Sequence, residues 1–489
     1  MIPRHSPVAL PLTPFAPNFT HSPTPRNMAD EYSAAAPINK IPVEILSNIF
    51  VVIYTLAHTS NNTYDHSAVK HTILLSSVCT RWRQAAIATS ALWPTSIEIT
   101  GQGYLRKGLQ YTNICLERSR NAPLHLRIGR HNFEYSLTSA NEVLSTTLHS
   151  VSSRIKSVAI AYWHSSLAKE VLATLISQGS LGTLCELALC ATSGDKLLYA
   201  DTEVLSQESL SALLSVLKFL CLDSVSLNWN TAYLSCHNLV ELQLIELPFN
   251  GFPTAICLAQ LLAANRGLQS IKLSRFELHD YSYPSPGEQL AIALPELKNI
   301  KLYLNPKFIS WFFRLPITIG TQGLSLHLSS YYVESEVAAV TESLNSFFQR
   351  THVKALCISG YWLPFSFVYA ALQYLEILRF SGQVFTMYTF AGMQEVPRFL
   401  PQLHTIDVVE CIAKIDDIEP GFRSLLTVPS IRRIGIDGLS LYQSMDGDPS
   451  TERLMSIQST RQWLEQGNVT AAISYSRLSN FYAFTLPFR

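Results

Sequence analysis

LVELQL (residues 239–244), LQSIKL (268–273) and LKNIKL (297–302) repeat one short pattern, in which a leucine is followed by an apolar–x–apolar pair. Alternation of apolar residues with a period of two predicts a half-buried β-strand in each segment. A pattern that returns at a near-constant interval along a chain indicates a repeat architecture.

The apolar pair returns throughout the chain after residue 122, with steps of about 22 to 34 residues and a mean of about 28, which lies in the leucine-rich-repeat range. The predicted pairs are Leu124/Leu126, Val158/Ile160, Leu187/Leu189, Leu220/Leu222, Leu242/Leu244, Ile271/Leu273, Ile300/Leu302, Leu324/Leu326, Leu356/Ile358, Leu378/Phe380, Ile406/Val408 and Ile434/Ile436. The Asn or Cys that turns the chain after the strand in such repeats is mostly missing, and Asn305 and Cys411 are the nearest equivalents.

Helical spacing separates several of these strands. It is clearest at Leu167/Val171/Leu175/Ile176, Ile256/Ala259/Leu262/Ala263 and Val337/Val340/Leu344/Phe347. One strand and one helix per step predict an α/β repeat fold, a leucine-rich-repeat solenoid with parallel strands inside and helices outside. The alternative is a doubly wound α/β enzyme, but twelve repeated strands are too many for one sheet of ordinary size.

A different pattern occupies residues 38–93, beginning INKIPVEILSNIF (38–50) and ending LLSSVCTRWRQAAIATSALW (74–93). Pro42 and Glu44 suit a helix start, and apolar residues then recur every three to five positions. Two or three short helices bury too little surface to close a core of their own. Their apolar face must therefore pack on the rest of this chain or on a partner.

These residues carry a resemblance. IPVEILSNIF (41–50), followed by VCTRWR (78–83) and Leu92-Trp93-Pro94, resembles the F-box. The resemblance implies an all-α module that binds the adaptor subunit of SCF-type cullin–RING ubiquitin ligases. The adaptor-binding residues that it implies are Ile41, Pro42, Glu44, Ile45, Leu46, Ile49, Phe50, Val78, Cys79 and Trp82. Ile41 replaces the usual leucine, and the segment 54–71 is longer and more polar than the usual connection.

The predicted organisation has five parts. They are a disordered Pro-rich leader (1–37), the F-box-like domain (38–95, insert 54–71), a helical linker (96–121), the repeat array (122–445) and a C-terminal cap (446–489). Met28 is an alternative start to Met1. The balance of 36 Lys plus Arg against 36 Asp plus Glu gives no overall footprint for nucleic acid or an anionic membrane. Nine scattered cysteines indicate reduced core thiols, and hence a cytoplasmic or nuclear protein.

No catalytic or metal-binding motif stands out in the sequence, so we expect no enzyme activity, no cofactor and no metal. Residues beside the apolar pairs should point onto the exposed, concave face of the sheet, which makes Asp223, Lys272, Lys301, Tyr303, Arg379 and Asp407 candidate contacts to a target protein. Aromatic residues near the strand ends are expected to fill the core, with anchoring of a partner as the alternative: Trp163, Trp229, Trp311, Phe312, Phe313, Tyr361 and Trp362.

The predicted function is that of a non-catalytic substrate receptor of an SCF-type ligase. F-box helices would bind the adaptor, and through it a cullin, while the repeats bind a target protein. One alternative is a leucine-rich-repeat interaction scaffold without a ligase link, and another is a hydrolase or transferase on an α/β sheet.

Overall fold

The computed structural model describes residues 40–59, 67–93, 96–99, 114, 116–128, 148–163, 165–191, 205–225, 227–248, 252–281, 290–329, 334–360, 372–382, 384–385, 400–414, 430–437, 440–443 and 453–454. Contacts divide the chain into two compact units. Residues 1–94 with 115–120 belong to the helical unit, and residues 95–114 with 121–489 belong to the solenoid unit. Within the described ranges no helix is long and apolar enough to cross a membrane.

The helical unit contains α1 (Val43–Thr59), α2 (Ser67–Ser77), α3 (Thr80–Ala88) and a 3-10 turn (Ser90–Leu92). At the start of α1 the Pro42 carbonyl accepts the Leu46 N–H at 3.0 Å. Cys79 caps α3, where its Sγ accepts the Trp82 N–H at 3.5 Å. The predicted insert 54–71 is helical at both ends, so the connection is shorter than the sequence suggested. Residues 60–66 lie outside the described part of the chain.

The core of the helical unit is small. Leu46 and Phe50 of α1 pack against Ala85, Ala86 and Leu92, and all five side chains are buried. Partly buried apolar residues surround this cluster: Ile41, Val51, Leu75 and Trp82. Most of the other apolar residues of α1 stay outside the cluster.

The solenoid unit is built on strands. They are β1 (Ser96–Ile99), β2 (Leu124–Ile128), β3 (Ile155–Trp163), β4 (Glu186–Ala191), β5 (Phe219–Asp223), β6 (Glu241–Ile245), β7 (Ser270–Ser274), β8 (Ile292–Leu294), β9 (Asn299–Tyr303), β10 (Ile317–Ile319), β11 (Leu324–Ser329), β12 (Val353–Ser359), β13 (Ile377–Ser381), β14 (Val384–Phe385), β15 (Thr405–Val409), β16 (Ile412–Lys414), β17 (Arg433–Asp437), β18 (Ser440–Gln443) and β19 (Arg453–Leu454). A 13-stranded sheet in the order β1-β2-β3-β4-β5-β6-β7-β9-β11-β12-β13-β15-β17 contains the predicted repeats, and every neighbouring pair in it is parallel. The α/β repeat solenoid is therefore confirmed.

The register of the sheet corrects two of the predicted pairs. Leu326 and Leu328 of β11 lie opposite Ile300 and Leu302 of β9, so the predicted pair Leu324/Leu326 is wrong by two residues. In β2 the pair in register is likewise Leu126/Ile128, in place of Leu124/Leu126. Each of these strands carries three alternating apolar residues, so the spacing alone fits two registers.

The sheet also begins earlier than predicted. Residues 96–121 were expected to form a helical linker, but β1 pairs with β2 and places Ile97 opposite Leu126. The helical part of this segment is confined, among the described residues, to residue 114 and residues 116–119. The alternation Ser-Ile-Glu-Ile in β1 satisfies the same period of two as the later strands.

Helices follow several of the strands, as the spacing predicted. They are α4 (Ser165–Ser177), α5 (Gln207–Val216), α6 (Trp229–Ser235), α7 (Ala255–Ala264), α8 (Pro306–Arg314) and α9 (Val337–Arg350). Ser206, Thr254 and Asn305 cap α5, α7 and α8, each accepting the N–H three residues later. Asn305 therefore starts a helix.

Several large aromatic side chains of the solenoid unit lie in its core. Phe308, Phe312 and Phe313 of α8 are fully buried, and the Phe313 ring centroid lies 4.5 Å from that of Phe347 on α9. The core location predicted for Trp229, Trp311, Phe312 and Phe313 is confirmed. Tyr361, Trp362 and the side chain of Trp163 lie outside the described residues.

The repeats lack the usual Asn or Cys after the strand, and several of them turn instead through a residue in the left-handed backbone conformation. The residue directly after the strand has a positive φ at Ser224 (58°), Glu246 (47°), Arg275 (54°), Gly360 (77°), Gly382 (59°) and Glu410 (52°). At Ser224, Glu246, Arg275 and Gly382 the N–H donates to the last strand carbonyl of the following repeat, as Glu246 does to Ser274 at 2.8 Å. These four turns are thus held by the neighbouring repeat.

One buried asparagine links two repeats. Asn265, at the end of α7, accepts the Leu239 N–H at 2.8 Å and donates to the carbonyls of Cys236 and Leu261 at 2.8 and 2.7 Å. Its amide is fully buried, so these bonds satisfy a group that would otherwise be costly to bury. Cys411, the other predicted turn residue, is buried, and its Sγ lies 3.3 Å from the Val409 carbonyl.

Smaller sheets complete the solenoid unit. β8 and β10 form a parallel pair, and β14, β16, β18 and β19 form a four-stranded sheet in which only the pairing of β18 with β19 is antiparallel. Apart from β19, the predicted C-terminal cap lies outside the described residues, as does the leader 1–37. The described cysteines are free thiols: Cys79, Cys185, Cys190, Cys221, Cys236, Cys257, Cys357 and Cys411.

Candidate functional site: an apolar helical surface and a charged sheet face

Apolar side chains stand on the surface of α1. Ile45, Ile49, Val52 and Ile53 are 50%, 40%, 56% and 41% exposed. Their spacing of three and four residues places them along one side of the helix, next to the side that carries the buried Leu46 and Phe50.

The other helices add to this exposed set. Val43 precedes the α1 stripe, Ile73 and Leu74 lie on α2, Val78 lies between α2 and α3, and Ile87 ends the set on α3. The described residues of the helical unit thus expose nine large apolar side chains, whereas those of the much larger solenoid unit expose three: Ile114, Leu234 and Tyr374. A concentration of exposed apolar side chains is typical of protein interaction surfaces. We call these nine residues the apolar surface.

The structure sorts the predicted adaptor-binding residues into two groups. Ile45, Ile49 and Val78 are exposed, as are Pro42 and Glu44. Leu46 and Phe50 lie in the core, and Ile41, Cys79 and Trp82 are half-buried. The first group is available for contact, while the second holds the helices that carry it.

Specific contacts fix these helices against one another. The Phe50 and Trp82 ring centroids lie 4.9 Å apart, and the Arg81 guanidinium donates to the Ile41 carbonyl. Thr89 Oγ1 donates to Ser47 Oγ at 2.8 Å, which links the end of α3 to α1. The apolar surface is therefore preorganised by its own unit.

Val52, Ile53, Ile73 and Leu74 were not among the predicted site residues. Val52 and Ile53 could have been found by extending the i, i+4, i+7 and i+8 spacing from Ile45. Which of the apolar residues of α2 face outward depends on how α2 packs, and spacing alone does not determine that.

In the solenoid unit the polar residues line one face of the sheet. Side chains that alternate with the core leucines lie on the face away from the core, which we call the open face. Its middle row runs in register from β2 to β17: Arg127, Ala159, Ala188, Cys221, Gln243, Lys272, Lys301, His327, Cys357, Arg379, Asp407 and Gly435.

The predicted target-binding residues all lie on the open face. Lys272, Lys301, Arg379 and Asp407 share the middle row. Asp223 and Tyr303 share the row two residues further along each strand. Lys301 and Arg379 are exposed; Asp223, Lys272 and Tyr303 are half-buried, and Asp407 is buried.

Asp407 is held by two arginines. Arg379 Nη2 lies 2.9 Å from its Oδ2, and Arg433 Nη2 lies 3.7 Å from its Oδ1. A Cβ at Gly435, the next residue in the row, would lie 2.5 Å from Oδ1, so the carboxylate occupies space that only glycine leaves open. Asp407 therefore organises two cations and is not itself presented to solvent.

A polar chain crosses the centre of the open face. The Tyr303 hydroxyl lies 2.9 Å from His327 Nδ1, and His327 Nε2 lies 3.0 Å from Ser359 Oγ. Burial, with Lys301 and Arg379 nearby, lowers the pKa of His327 to about 4, so the imidazole is neutral at pH 7. Burial also raises the pKa of Tyr303 to about 12.

The thiols of the middle row are not activated. Burial raises the pKa of Cys221 and of Cys357 to about 11, so both remain protonated at neutral pH. Among the described residues no three His, Cys, Asp or Glu side chains come together in a way that could hold a metal ion. The chemistry of the open face is that of charge and hydrogen bonding.

Comparison with known proteins adds little. No protein-family model matches the chain, and no curated protein matches it. A solved Bacteroides fragilis protein matches with a TM-score of 0.33 at 11% identity, covering 72% of this chain and 86% of that one. A chain of the TLR13–ssRNA13 complex matches with a TM-score of 0.34 at 11% identity, covering 71% of this chain and 52% of that one. At these values neither likeness bears on function.

The fold itself is informative. Repeat solenoids present extended binding surfaces along their strands, so the solenoid unit supports an interaction scaffold. The two surfaces differ in chemistry, since one is apolar and the other carries charge.

Proposed function

We propose that this protein is a non-catalytic substrate-recognition subunit of an SCF-type cullin–RING ubiquitin ligase. In this role the helical unit binds the adaptor subunit and the open face of the solenoid unit binds a target protein. The observation that carries the proposal is the apolar surface, which lies in the segment that resembles an F-box.

The apolar surface calls for a partner that covers it. A soluble protein rarely exposes a contiguous apolar patch of more than a few hundred Å² unless a partner or ligand binds there. At about 25 cal/mol per Å², covering the stripe Ile45–Ile49–Val52 with an apolar groove contributes several kcal/mol to binding. The F-box resemblance identifies the adaptor as that partner.

The role requires no reaction on this chain. A receptor raises the effective concentration of its target beside the ligase, and ubiquitin transfer takes place on other subunits. The protonated thiols and the neutral His327 of the open face are consistent with a binding role.

Binding of the purified full-length chain to the purified adaptor tests the proposal, measured by biolayer interferometry. Because Ile45 and Ile49 are exposed, Ile45→Asp/Ile49→Asp should leave the fold intact and weaken binding by about 100-fold or more, as expected for the loss of two apolar contacts at an interface centre. Val78→Asp should weaken it by about tenfold.

Asn48→Asp is the matched control. Asn48 is exposed at the edge of the apolar stripe, but its substitution removes no apolar contact, so binding should stay within about twofold of wild type. Leu46→Asp is unsuitable because it would bury a charge in the core. Wild-type binding that the double substitution leaves unchanged would refute the proposal, as would the absence of wild-type binding.

A second candidate is an interaction scaffold without a ligase link. The open face alone supports it, since target binding there requires no adaptor. It is favoured if the full-length chain captures a target but does not bind the adaptor.

A further inference from the structure

Several cations of the solenoid unit meet an acid of a neighbouring strand or repeat. Lys156 pairs with Glu186 at 3.3 Å, Lys354 with Glu376 at 3.4 Å, Arg379 and Arg433 share Asp407, and Arg275 pairs with Glu246. Such cross-strand pairs stabilise a sheet.

Lys272 and Lys301, in the middle row of the open face, differ from these cations. They lie directly opposite each other on β7 and β9, where the strands are about 4.8 Å apart. Neither has a carboxylate partner within salt-bridge distance among the described residues. Like charges placed directly opposite each other destabilise a sheet, so this pair costs the free protein stability that a bound anion would restore.

The Lys272–Lys301 pair lies in a region of the open face that has no acidic side chain. The strands β7, β9, β11, β12 and β13 contribute three open-face positions each to this region, which we call the cationic patch. Its rows are Ser270, Asn299, Ser325, Ala355 and Ile377; Lys272, Lys301, His327, Cys357 and Arg379; and Ser274, Tyr303, Ser329, Ser359 and Ser381. It contains three cations and many hydroxyl or amide groups, but no carboxylate. Charged and neutral hydrogen-bond donors together are what an anion requires.

We propose that the cationic patch binds an acidic peptide segment of the target protein. That the peptide belongs to a target protein rests on the function proposed above. Binding of an acidic peptide to the patch does not. A long polyanion fits poorly, because acids border the patch on both sides: Glu186, Asp223 and Glu241 on β4–β6, and Asp407 on β15. These carboxylates would repel a nucleic-acid backbone that ran across the sheet.

The geometry also predicts a spacing for the acids. The patch has two positive poles, namely the Lys272–Lys301 pair and Arg379. Arg379 shares the bordering Asp407 with Arg433 of β17, so these three side chains together keep a net charge of one. Lys301 and Arg379 are separated by three strand spacings, or about 14 Å, and an extended peptide covers that distance in about four residues. An acid-x-x-x-acid motif therefore reaches both poles, with neutral residues over His327 and Cys357.

Fluorescence anisotropy with the full-length chain tests the proposal without the adaptor, so its failure is distinct from a failure of adaptor binding. The probe is a labelled Gly/Ser peptide of about twelve residues carrying Glu-x-x-x-Glu, compared with a peptide in which the two Glu are adjacent. We expect the spaced peptide to bind more tightly, and Lys272→Gln/Lys301→Gln to weaken it by about tenfold.

Lys218→Gln is the matched control, since Lys218 is an exposed lysine of the same unit outside the patch and its loss should change affinity by less than about twofold. Lys272→Glu/Lys301→Glu should prefer the corresponding Lys-x-x-x-Lys peptide, a reversal that a purely structural role would not produce. Equal binding by the Gln variant and wild type would overturn the proposal. So would tighter binding of a single-stranded oligonucleotide than of the acidic peptide.

Discussion

The helical unit and the solenoid unit differ in which side chains they expose and which they bury. The helical unit leaves Ile45, Ile49 and Val78 in solvent, although it has a core in which apolar residues pack. The solenoid unit draws polar groups such as Asn265 and Asp407 inside and satisfies them with its own partners. The first unit leaves apolar side chains in water. The second provides partners for most of its buried polar side chains, and among the described residues Trp311 Nε1 and Thr341 Oγ1 are the buried side-chain atoms without one.

The largest expected effect contrasts apolar residues of the two units. Phe312→Ala should lower the free energy of unfolding of the solenoid unit by about 3–5 kcal/mol, because it removes a fully buried ring and leaves a cavity. Ile49→Ala should change stability by less than about 0.5 kcal/mol, because Ile49 is already in solvent. Urea denaturation followed by circular dichroism measures both. Similar losses for the two variants would contradict the comparison.

The next effect concerns a polar group inside the solenoid unit. Asn265→Ala should cost about 3 kcal/mol, because it leaves the Leu239 N–H and the Cys236 carbonyl buried without a partner. Asn238→Ala is the control, since this exposed asparagine makes one hydrogen bond, to the Ser215 carbonyl. If the two substitutions cost the same, Asn265 does not link the repeats.

A smaller effect depends on pH. The pKa of His327 falls from the ordinary 6.5 in the unfolded chain to about 4 in the fold, so the unfolded chain binds the proton more readily. Stability should therefore be lost as the pH falls from 6.5 towards 4, and His327→Gln should retain on the order of 2 kcal/mol more than wild type at pH 4. Thermal denaturation at pH 7, 5.5 and 4 measures the difference. Parallel pH profiles would contradict it.

The smallest effect concerns the left-handed turns. Glu410 has a φ of 52°, a region that disfavours side chains with a Cβ. Glu410→Gly should raise stability relative to Glu410→Ala by about 0.5–1 kcal/mol, since both remove the carboxylate but only glycine relieves the backbone. A less stable glycine variant would show that the turn carries no strain.

Most of the repeat fold could be predicted from the sequence, because the spacing of Leu242/Leu244, Ile271/Leu273 and their equivalents reflects burial on one face. The registers of β2 and β11 could not, since three alternating apolar residues fit two alignments. The turns were missed because Ser224, Glu246 and Arg275 give no local signal for a left-handed position. Asn265 was missed because two of its three hydrogen bonds, to Leu239 and Cys236, join groups more than twenty residues apart in sequence.

The sequence predicted the residues of the open face better than it predicted which apolar residues of the helical unit are exposed. The open-face residues followed from alternation along the strands, but the lack of an acid beside Lys272 and Lys301 depends on the pairing of β7 with β9. In the helical unit, spacing identified the apolar residues without showing which of them pack inward. Leu46 and Ile45 are adjacent in sequence, yet only the packing of α3 against α1 buries one and leaves the other exposed.

The salt dependence of adaptor binding tests the account most directly. Isothermal titration of the full-length chain with the adaptor, at about 50 and about 500 mM salt, separates an apolar interface from a charged one because salt screens exposed charges. We expect the affinity for the adaptor to change by less than about threefold between the two salt concentrations. Over the same range the affinity for the Glu-x-x-x-Glu peptide should fall by more than about tenfold. Adaptor affinity that falls as steeply as that of the peptide, or an adaptor that does not bind, would contradict the account.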